Sequence, residues 1–426
     1  MSTPTVPLAE ILSQGDEVVT GQVVDSNAAW LAEKLTHMGF LVVRHTSVGD
    51  RLADLVQAFT EASGRADVVV CSGGLGPTED DLTAEAIAQA FGRPLALDEV
   101  ALADLIAKYE RFRRVMPEVN RKQAWLPEGS QRLDNDWGTA PGFAVEAGRA
   151  WMAFMPGVPR EMKRMFEHRV VPLIAERFQL HPGHLVTFRT TGCGESNLQE
   201  MLTGLALPEG VVLAFRTKLP ENHVKLRFPA SMPASGMAAV VDEVGGRLGR
   251  HLFTIEGAES LELSGAFDTA GGDLAARVAR QLLAREATLA TAESCTGGRV
   301  AVSCTLHSGS SAWFLEGAVT YSNAAKVRQL GVPEALLEAH GAVSEPVARA
   351  MAEGIRERAG ATYGLSTTGI AGPTGATPDK PVGTVHIALA TPSGTEHREL
   401  HLSGERDRIQ ILAASAALDL LRRHLA

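Results

Sequence analysis

The sequence predicts an α/β protein in three parts. A doubly wound domain covers residues 1–175, a small α+β module 180–257 and a second α/β domain 273–426, with a linker at 258–272. Three observations carry this. Apolar strand-like runs alternate with helix-period runs at both ends of the chain, as strand–turn–helix units in series do. Glycine-rich turns separate strand from helix, where a doubly wound sheet gathers its site. A length of 426 residues also exceeds what one core holds.

In the first part AEILSQ is a strand, followed by GDEVVTG and a helix with apolar positions Ala29, Leu31, Ala32 and Leu35. FLVVRHTSVGD is the next strand and RLADLVQAFTEASG the next helix. ADVVVCSGG is a continuous apolar run of the kind buried in a parallel sheet. It ends in GGLGPTEDD, and LTAEAIAQAFG follows as a helix. AWMAFMPGVPREMKRMFEHRVVPLI repeats strand, tight turn and helix. In the middle part HLVTFRTTG is a strand, ESNLQEML a short helix, GVVLAFRTK with HVKLRFPAS a hairpin, and GMAAVVDEVGGRLG a closing helix. GAESLELSGAFDTAGGD has the Gly, Ala and Ser content of a linker. Beyond it DLAARVARQLLAREA is an amphipathic helix leading into the strand TLATAES. The remainder alternates through AWFLEGAVTY, PVARAMAEGIRERAG, ATYGLSTTG and GTVHIALA to a final helix from about Arg408.

Composition excludes several classes. With 45% hydrophobic and 21% charged residues the chain reads as a globular protein. A net charge of −10 argues against a surface built to neutralise nucleic-acid phosphates, and the short basic run RFRR (111–114) reads as a solvated helix face. Cys71, Cys193, Cys295 and Cys304 form no CxxC, so neither zinc nor a disulfide framework is indicated. The amino terminus has no basic leader, and no apolar run approaches the roughly 20 residues that span a bilayer, so a cytoplasmic protein is expected.

The stretch from Glu293 to Pro373 carries the chemistry. It reads AESCTGG, GSSAWF, VTYSNAAK and STTGIAGPTG, with Ser311, Tyr321 and Lys326 in that order. A hydroxyl, a phenol and an amine that meet at one point indicate nucleophilic hydrolysis without a metal. A lysine serves as base only if burial lowers its pKa from ~10.4, and Trp313 and Phe314 are the expected walls of such a pocket. Tyr321 and Lys326 stand five apart, not the four of short-chain dehydrogenases, and no GxxxGxG turn opens the unit.

The whole set resembles the carboxy-terminal domain of the CinA family, the nicotinamide mononucleotide amidohydrolases, from about Asp273 to the chain end. The resemblance implies Ser311, the second serine of GSS, as nucleophile, assisted by Tyr321 and Lys326. It implies a substrate site lined by Ser294, Thr296, Gly297 and Gly298 of AESCTGG, Thr368 before GIAGP and Gly369 opening it, and Arg406 of the SGER motif. No cofactor is implied for this site.

At the amino-terminal end, Gly73, Gly74, Gly76 and Thr78 form a loop suited to a phosphate. Glu79, Asp80 and Asp81 follow in what reads as the first turn of a helix, where they cap it or hold a divalent cation. The segment resembles the molybdopterin-binding fold, as does the MPGVPREM turn at Gly157, and Asp50 matches that family's acid after the second strand. GDEVVTGQVVDSNAAWLAEKL matches the CinA version of this domain, which implies an ADP-ribose pyrophosphatase dependent on a metal of the Mg, Mn or Co class. The ligand set would be Asp81 and Asp50, then Asp80 and Glu79. Asp16, Glu17 and Asn27 stay open between ligand and dimer or turn roles.

Other readings weigh against these. Cys295 with Glu293 and Lys326 forms a nitrilase-type set, Ser310 and Ser311 suit a helix cap, and His307, His340 and His386 look isolated. The middle part resembles the KH-like domain of the CinA family without its GxxG loop, so a spacer and dimerisation role is preferred to RNA binding. A homodimer is expected, without membrane or direct nucleic-acid contact. Rival classes are a nucleotide-sensing scaffold in competence or DNA repair, and a molybdopterin-handling protein.

Overall fold

The computed structural model describes residues 6–111 and 113–426. The leader positions 1–5 and Phe112 of the RFRR run lie outside the described residues. The chain divides between Gly183 and His184 into two compact units.

The first unit is built on a six-stranded sheet in the order Leu41–Val48, Leu8–Gln14, Val68–Ser72, Ala150–Met155, Gly142–Ala147, Gln131–Leu133. The first four strands run parallel and the last two antiparallel. Val68–Ser72 is buried throughout, which is why it reads as an unbroken apolar run. The helices Leu52–Arg65 and Thr83–Phe91 cover one face, around Phe59, Phe143 and Phe154. Ser26–Met38 and the helical run from Pro159 cover the other, around Leu31, Leu35 and Phe166. The helix Ser26–Met38 begins on the side chain of Asp25, which accepts from the Ala28 amide, and ends at Gly39 with φ +106°. Its buried stripe is Ala28, Leu31 and Leu35, so the expected Ala29 faces solvent one position out of phase. The helix Glu99–Arg111 ends at the start of the basic run.

The second unit holds two sheets. Four antiparallel strands lie in the order Val212–Lys218, Glu221–Phe228, His184–Thr190, Leu252–Glu256, with the helices Glu195–Met201 and Ala234–Leu248. The last strand has no counterpart in the sequence reading. The other sheet has the order Phe314–Val319, Leu289–Glu293, Tyr363–Gly369, Thr384–Thr391, Gly394–His401. Its first three strands are parallel and the last two antiparallel. Leu274–Leu283, Arg299–Thr305 and Arg406–His424 pack on one face, and Asn323–Leu330 and Glu345–Ala359 on the other.

The 258–272 stretch is tied down despite its composition. Phe267 packs against the antiparallel sheet's core, and the Asp242 carboxylate accepts from the amides of Ser264 and Gly265. Asp268, with its side chain 7% exposed, is bonded by Arg277, Arg280 and the Thr254 hydroxyl at 2.7 Å. No described helix is long and apolar enough to cross a membrane.

Candidate active sites

In the second unit, chemistry collects where the parallel strands end. Glu293 ends the strand Leu289–Glu293 and Ser294 stands in the bend beyond it, the Glu293 carboxylate bonded to the start of Arg299–Thr305 and the Ser294 hydroxyl to Lys326. The Ser294 amide donates to the Thr367 carbonyl at 2.9 Å, which fixes the serine against the neighbouring strand. Its hydroxyl lies 3.1 Å from the Lys326 amine. That lysine comes from the helix Asn323–Leu330, whose first turn is capped by the Ser322 hydroxyl.

Lys326 is 1% exposed and its amine meets the carbonyls of Thr320 at 2.8 Å and Tyr321 at 3.2 Å. Among the described residues it has no carboxylate partner. Burial lowers its pKa below the ordinary lysine value. A neutral amine has two N–H groups and one lone pair. The Lys326 amine donates to the Ser294 hydroxyl in this arrangement, and once neutral it can give its N–H groups to the two carbonyls and turn its lone pair to that hydroxyl. This is a serine–lysine pair.

Three of the expected roles are corrected. Ser311 sits in a short turn before the Phe314–Val319 strand, exposed, while Ser294 follows its neighbour at the other end. Five strand residues separate the two ends, roughly 16 Å at ~3.3 Å per residue. Ser311 therefore stands apart from Lys326. Trp313, expected as a pocket wall, is buried in the core. Tyr321 contributes its backbone to Lys326, but its side chain is turned to solvent and its phenol accepts from the Arg406 guanidinium at 3.1 Å.

The substrate-site residues divide. Arg406 opens the helix Arg406–His424, is exposed, and donates also to the Gly372 carbonyl at 2.7 Å. Thr296 is buried, and its hydroxyl is used by Glu293 at 2.7 Å and Thr367 at 2.6 Å. The Thr368 hydroxyl donates to the Ala342 carbonyl at 2.8 Å. Both threonines are therefore structural supports in this arrangement. Gly297 and Gly298 have φ +64° and +99°, a turn that side chains resist. Gly369 is required by packing, because a Cβ there would meet Val385 at 2.6 Å.

Cysteine chemistry is disfavoured. Burial pushes the Cys295 thiol up to about 12, leaving it protonated near neutrality, and Cys304 is raised by the same cause. Nor are two of the three histidines isolated. His307 meets Asp273 at 2.9 Å, and His386 meets His397 at 2.9 Å.

In the first unit a pocket of about 430 Å³ opens at the carboxyl ends of the parallel strands. Gly73, Gly74, Gly76, Asp50, Asp80, Asp81 and Gly157 all line it. A Cβ on Gly73 would sit 2.3 Å from the Gln14 carbonyl, and one on Gly74 2.1 Å from the Gln14 amide oxygen. Gln14, missed in the sequence reading, also donates to Asp50 at 3.0 Å and accepts from the Thr83 hydroxyl. Its only advance signal was a polar residue closing an apolar strand.

The acids do not fall as expected. The helix starts at Thr83, so Glu79, Asp80 and Asp81 precede it. Asp81 accepts from the Thr78 amide at 2.9 Å and from its hydroxyl, closing the turn on itself. Glu79 and Thr78 are exposed and do not line the pocket. The Thr78 hydroxyl and its own backbone amide hold Asp80 below the ordinary carboxylate value. Asp50 accepts from the Asp16 amide at 2.9 Å, and Asn27 donates to the Gly157 carbonyl at 2.8 Å. Among the described residues no three acidic, histidine or cysteine side chains gather closely enough to hold a metal ion alone.

Comparison with known proteins matches these two regions separately. Residues 272–425 fit the model of the CinA C-terminal domain, and residues 10–176 that of a probable molybdopterin binding domain. A CinA-like protein of Anaeromyxobacter dehalogenans (strain 2CP-C) is 45% identical over 415 residues, spanning 97% of this chain and 98% of the relative. One from Citrifermentans bemidjiense is 46% identical over 417 residues, spanning 97% of each. The crystal structure of the competence/damage inducible protein CihA from Agrobacterium tumefaciens is 40% identical, covering 36% of this chain and 93% of that one, with a TM-score of 0.35. With such identity along nearly the full length of both curated sequences, the chain belongs to the CinA-like family.

Proposed function

We propose that the carboxy-terminal site hydrolyses the carboxamide of nicotinamide mononucleotide, giving nicotinate mononucleotide and ammonia, with Ser294 as nucleophile. The observation that supports this most is the buried Lys326 amine, carbonyl-anchored and 3.1 Å from the Ser294 hydroxyl. The serine Oγ would add to the amide carbon while its proton passes to Lys326. Lys326 would then return that proton to the departing nitrogen, and water would hydrolyse the acyl-serine ester. Backbone amides of the turn after Ser294 would hold the oxyanion, a contribution of ~3 kcal/mol per donor. The exposed Arg406 guanidinium suits the substrate phosphate. Tyr321, bonded to Arg406, would orient it. No cofactor is needed by this scheme.

For the amino-terminal pocket the supported reading is hydrolysis of the ADP-ribose pyrophosphate. Glycine turns and carboxylates on one wall favour a phosphate and a hard cation together. The donors fit a divalent cation of the Mg, Mn or Co class through Asp50 and Asp81, with the substrate's own oxygens completing the set. When bound, such an ion supplies charge neutralisation and a more acidic water. Gln14 would keep the Asp50 carboxylate oriented, and the Gly73–Gly76 backbone would approach one phosphate.

The middle sheet with its two helices would serve as a KH-like spacer, and the protein would work as a cytoplasmic homodimer. Ammonia release from nicotinamide mononucleotide, run beside phosphate-coupled turnover of ADP-ribose with a divalent metal, tests both activities. Binding of either nucleotide without turnover would favour a sensing scaffold instead. Pterin affinity without ADP-ribose cleavage would favour a molybdopterin-handling domain.

A further inference from the structure

We propose that Glu293 is the positioning residue that holds Ser294 in its reactive geometry, an inference resting on the Ser294–Lys326 reading above. Glu293 is 1% exposed and directly precedes the serine. Four donors converge on its carboxylate: the Thr296 hydroxyl at 2.7 Å and the amides of Gly298 at 2.9 Å, Val300 at 3.1 Å and Ala301 at 2.8 Å. An acceptor-only group matches that set, and a carboxylate has lone pairs for all four. Thr296 is held in turn by the Thr367 hydroxyl at 2.6 Å.

The placement makes this a clamp on the serine backbone. Glu293 anchors the first turn of the Arg299–Thr305 helix, while the Ser294 hydroxyl meets Lys326 of the Asn323–Leu330 helix. The Glu293 carbonyl accepts from Thr320 at 2.8 Å, and the Ser294 amide donates to Thr367 at 2.9 Å, so both neighbouring strands grip the same dipeptide. Thr320 also supplies a carbonyl to Lys326. The serine and its base therefore share one frame. Without the carboxylate, the Cys295–Gly298 turn loses its tie to the helix, and the hydroxyl is no longer aimed at the amine. Among the described residues no hydrogen bond or ion pair joins Glu293 to the Lys326 amine or the Arg406 guanidinium, so it acts through the serine.

The test compares the wild-type chain with Glu293→Gln, Thr296→Val and Ser294→Ala. Labelling of Ser294 by an aryl sulfonyl fluoride is followed by intact mass. In it the Oγ–S bond forms, fluoride leaves and the serine proton goes to Lys326. Ammonia release from nicotinamide mononucleotide is measured on the same samples, with the folded fraction fixed by circular dichroism. Glu293→Gln keeps the shape but opposes an N–H to at least one donor. We expect it to label and turn over between about tenfold and a hundredfold more slowly, through kcat with KM little changed. Thr296→Val removes one of the four bonds and is expected to fall between, which keeps the proposal testable if Glu293→Gln fails to fold. Equal labelling of wild type and either folded variant, with Ser294→Ala unlabelled, would overturn the role of Glu293 alone. Equal labelling of wild type and Ser294→Ala would overturn the Ser294 nucleophile and this role with it.

Discussion

At the residue scale the decisive group is Lys326, a cation-forming side chain placed among carbonyls with no carboxylate partner among the described residues. Its burial penalises the charged form, so the amine gives up its proton below the ordinary lysine range. On the proposed reading the unprotonated amine is the base. Amide hydrolysis should therefore rise with pH, with the midpoint of the rise below ~10.4. A kcat/KM profile against pH reads this directly. Lys326→Arg, whose guanidinium keeps its proton, should lose about 10²- to 10⁴-fold in ammonia release. A second expectation concerns Cys295, whose thiol is held protonated near neutrality. Cys295→Ala should turn over within about twofold of wild type, as ammonia assays would show. The residue types of this site were legible in the sequence, but their partners were not. Ser294 and Ser311 both border strands of one sheet, and only the parallel pairing of Phe314–Val319 with Leu289–Glu293 reveals that they border opposite ends.

At the scale of elements, strand–turn–helix alternation was readable because burial on both faces leaves unbroken apolar runs such as Val68–Ser72. Turn chemistry was harder. One carboxylate oxygen of Asp81 closes the Thr78 turn and the helix begins two residues later, and local side-chain bonds of this kind compete with a helix start. The turn's glycines have no such alternative. Gly73→Ala places a Cβ 2.3 Å from the Gln14 carbonyl at φ +107°, and should cost about 2 kcal/mol or more. Thermal unfolding and ADP-ribose turnover would both record the loss. The 258–272 stretch misled for the opposite reason, since its composition hides one buried acid. Burial opposes ionisation of Asp268, but the Thr254 hydroxyl and the guanidiniums of Arg280 and Arg277 outweigh it and hold its pKa below the ordinary value. A lowered carboxylate pKa stabilises the fold above the unfolded value of ~3.9, and that stabilisation fades as pH falls through the lowered one. Asp268→Asn should thus cost about 3 kcal/mol near neutrality, with the gap to wild type narrowing in acid. Urea denaturation across that range measures it.

For the whole molecule, two compact units hold two unlike sites: a buried lysine against a serine in the second and a glycine- and carboxylate-lined pocket in the first. On the proposed reading the serine site works without a metal and the pocket works with one. A chelator should therefore stop ADP-ribose cleavage and leave ammonia release unchanged, and Asp50→Asn should do the same, because the Asp50 carboxylate lines the pocket and is otherwise bonded by Gln14 and the Asp16 amide. The most direct measurement sets Ser294→Ala beside Ser311→Ala in an ammonia assay with nicotinamide mononucleotide, on protein shown to be folded. Ser294→Ala should fall to background, and Ser311→Ala, about a strand's length away on the exposed turn, should keep wild-type turnover. Full activity in Ser294→Ala, or its loss in Ser311→Ala alone, would contradict the serine–lysine site.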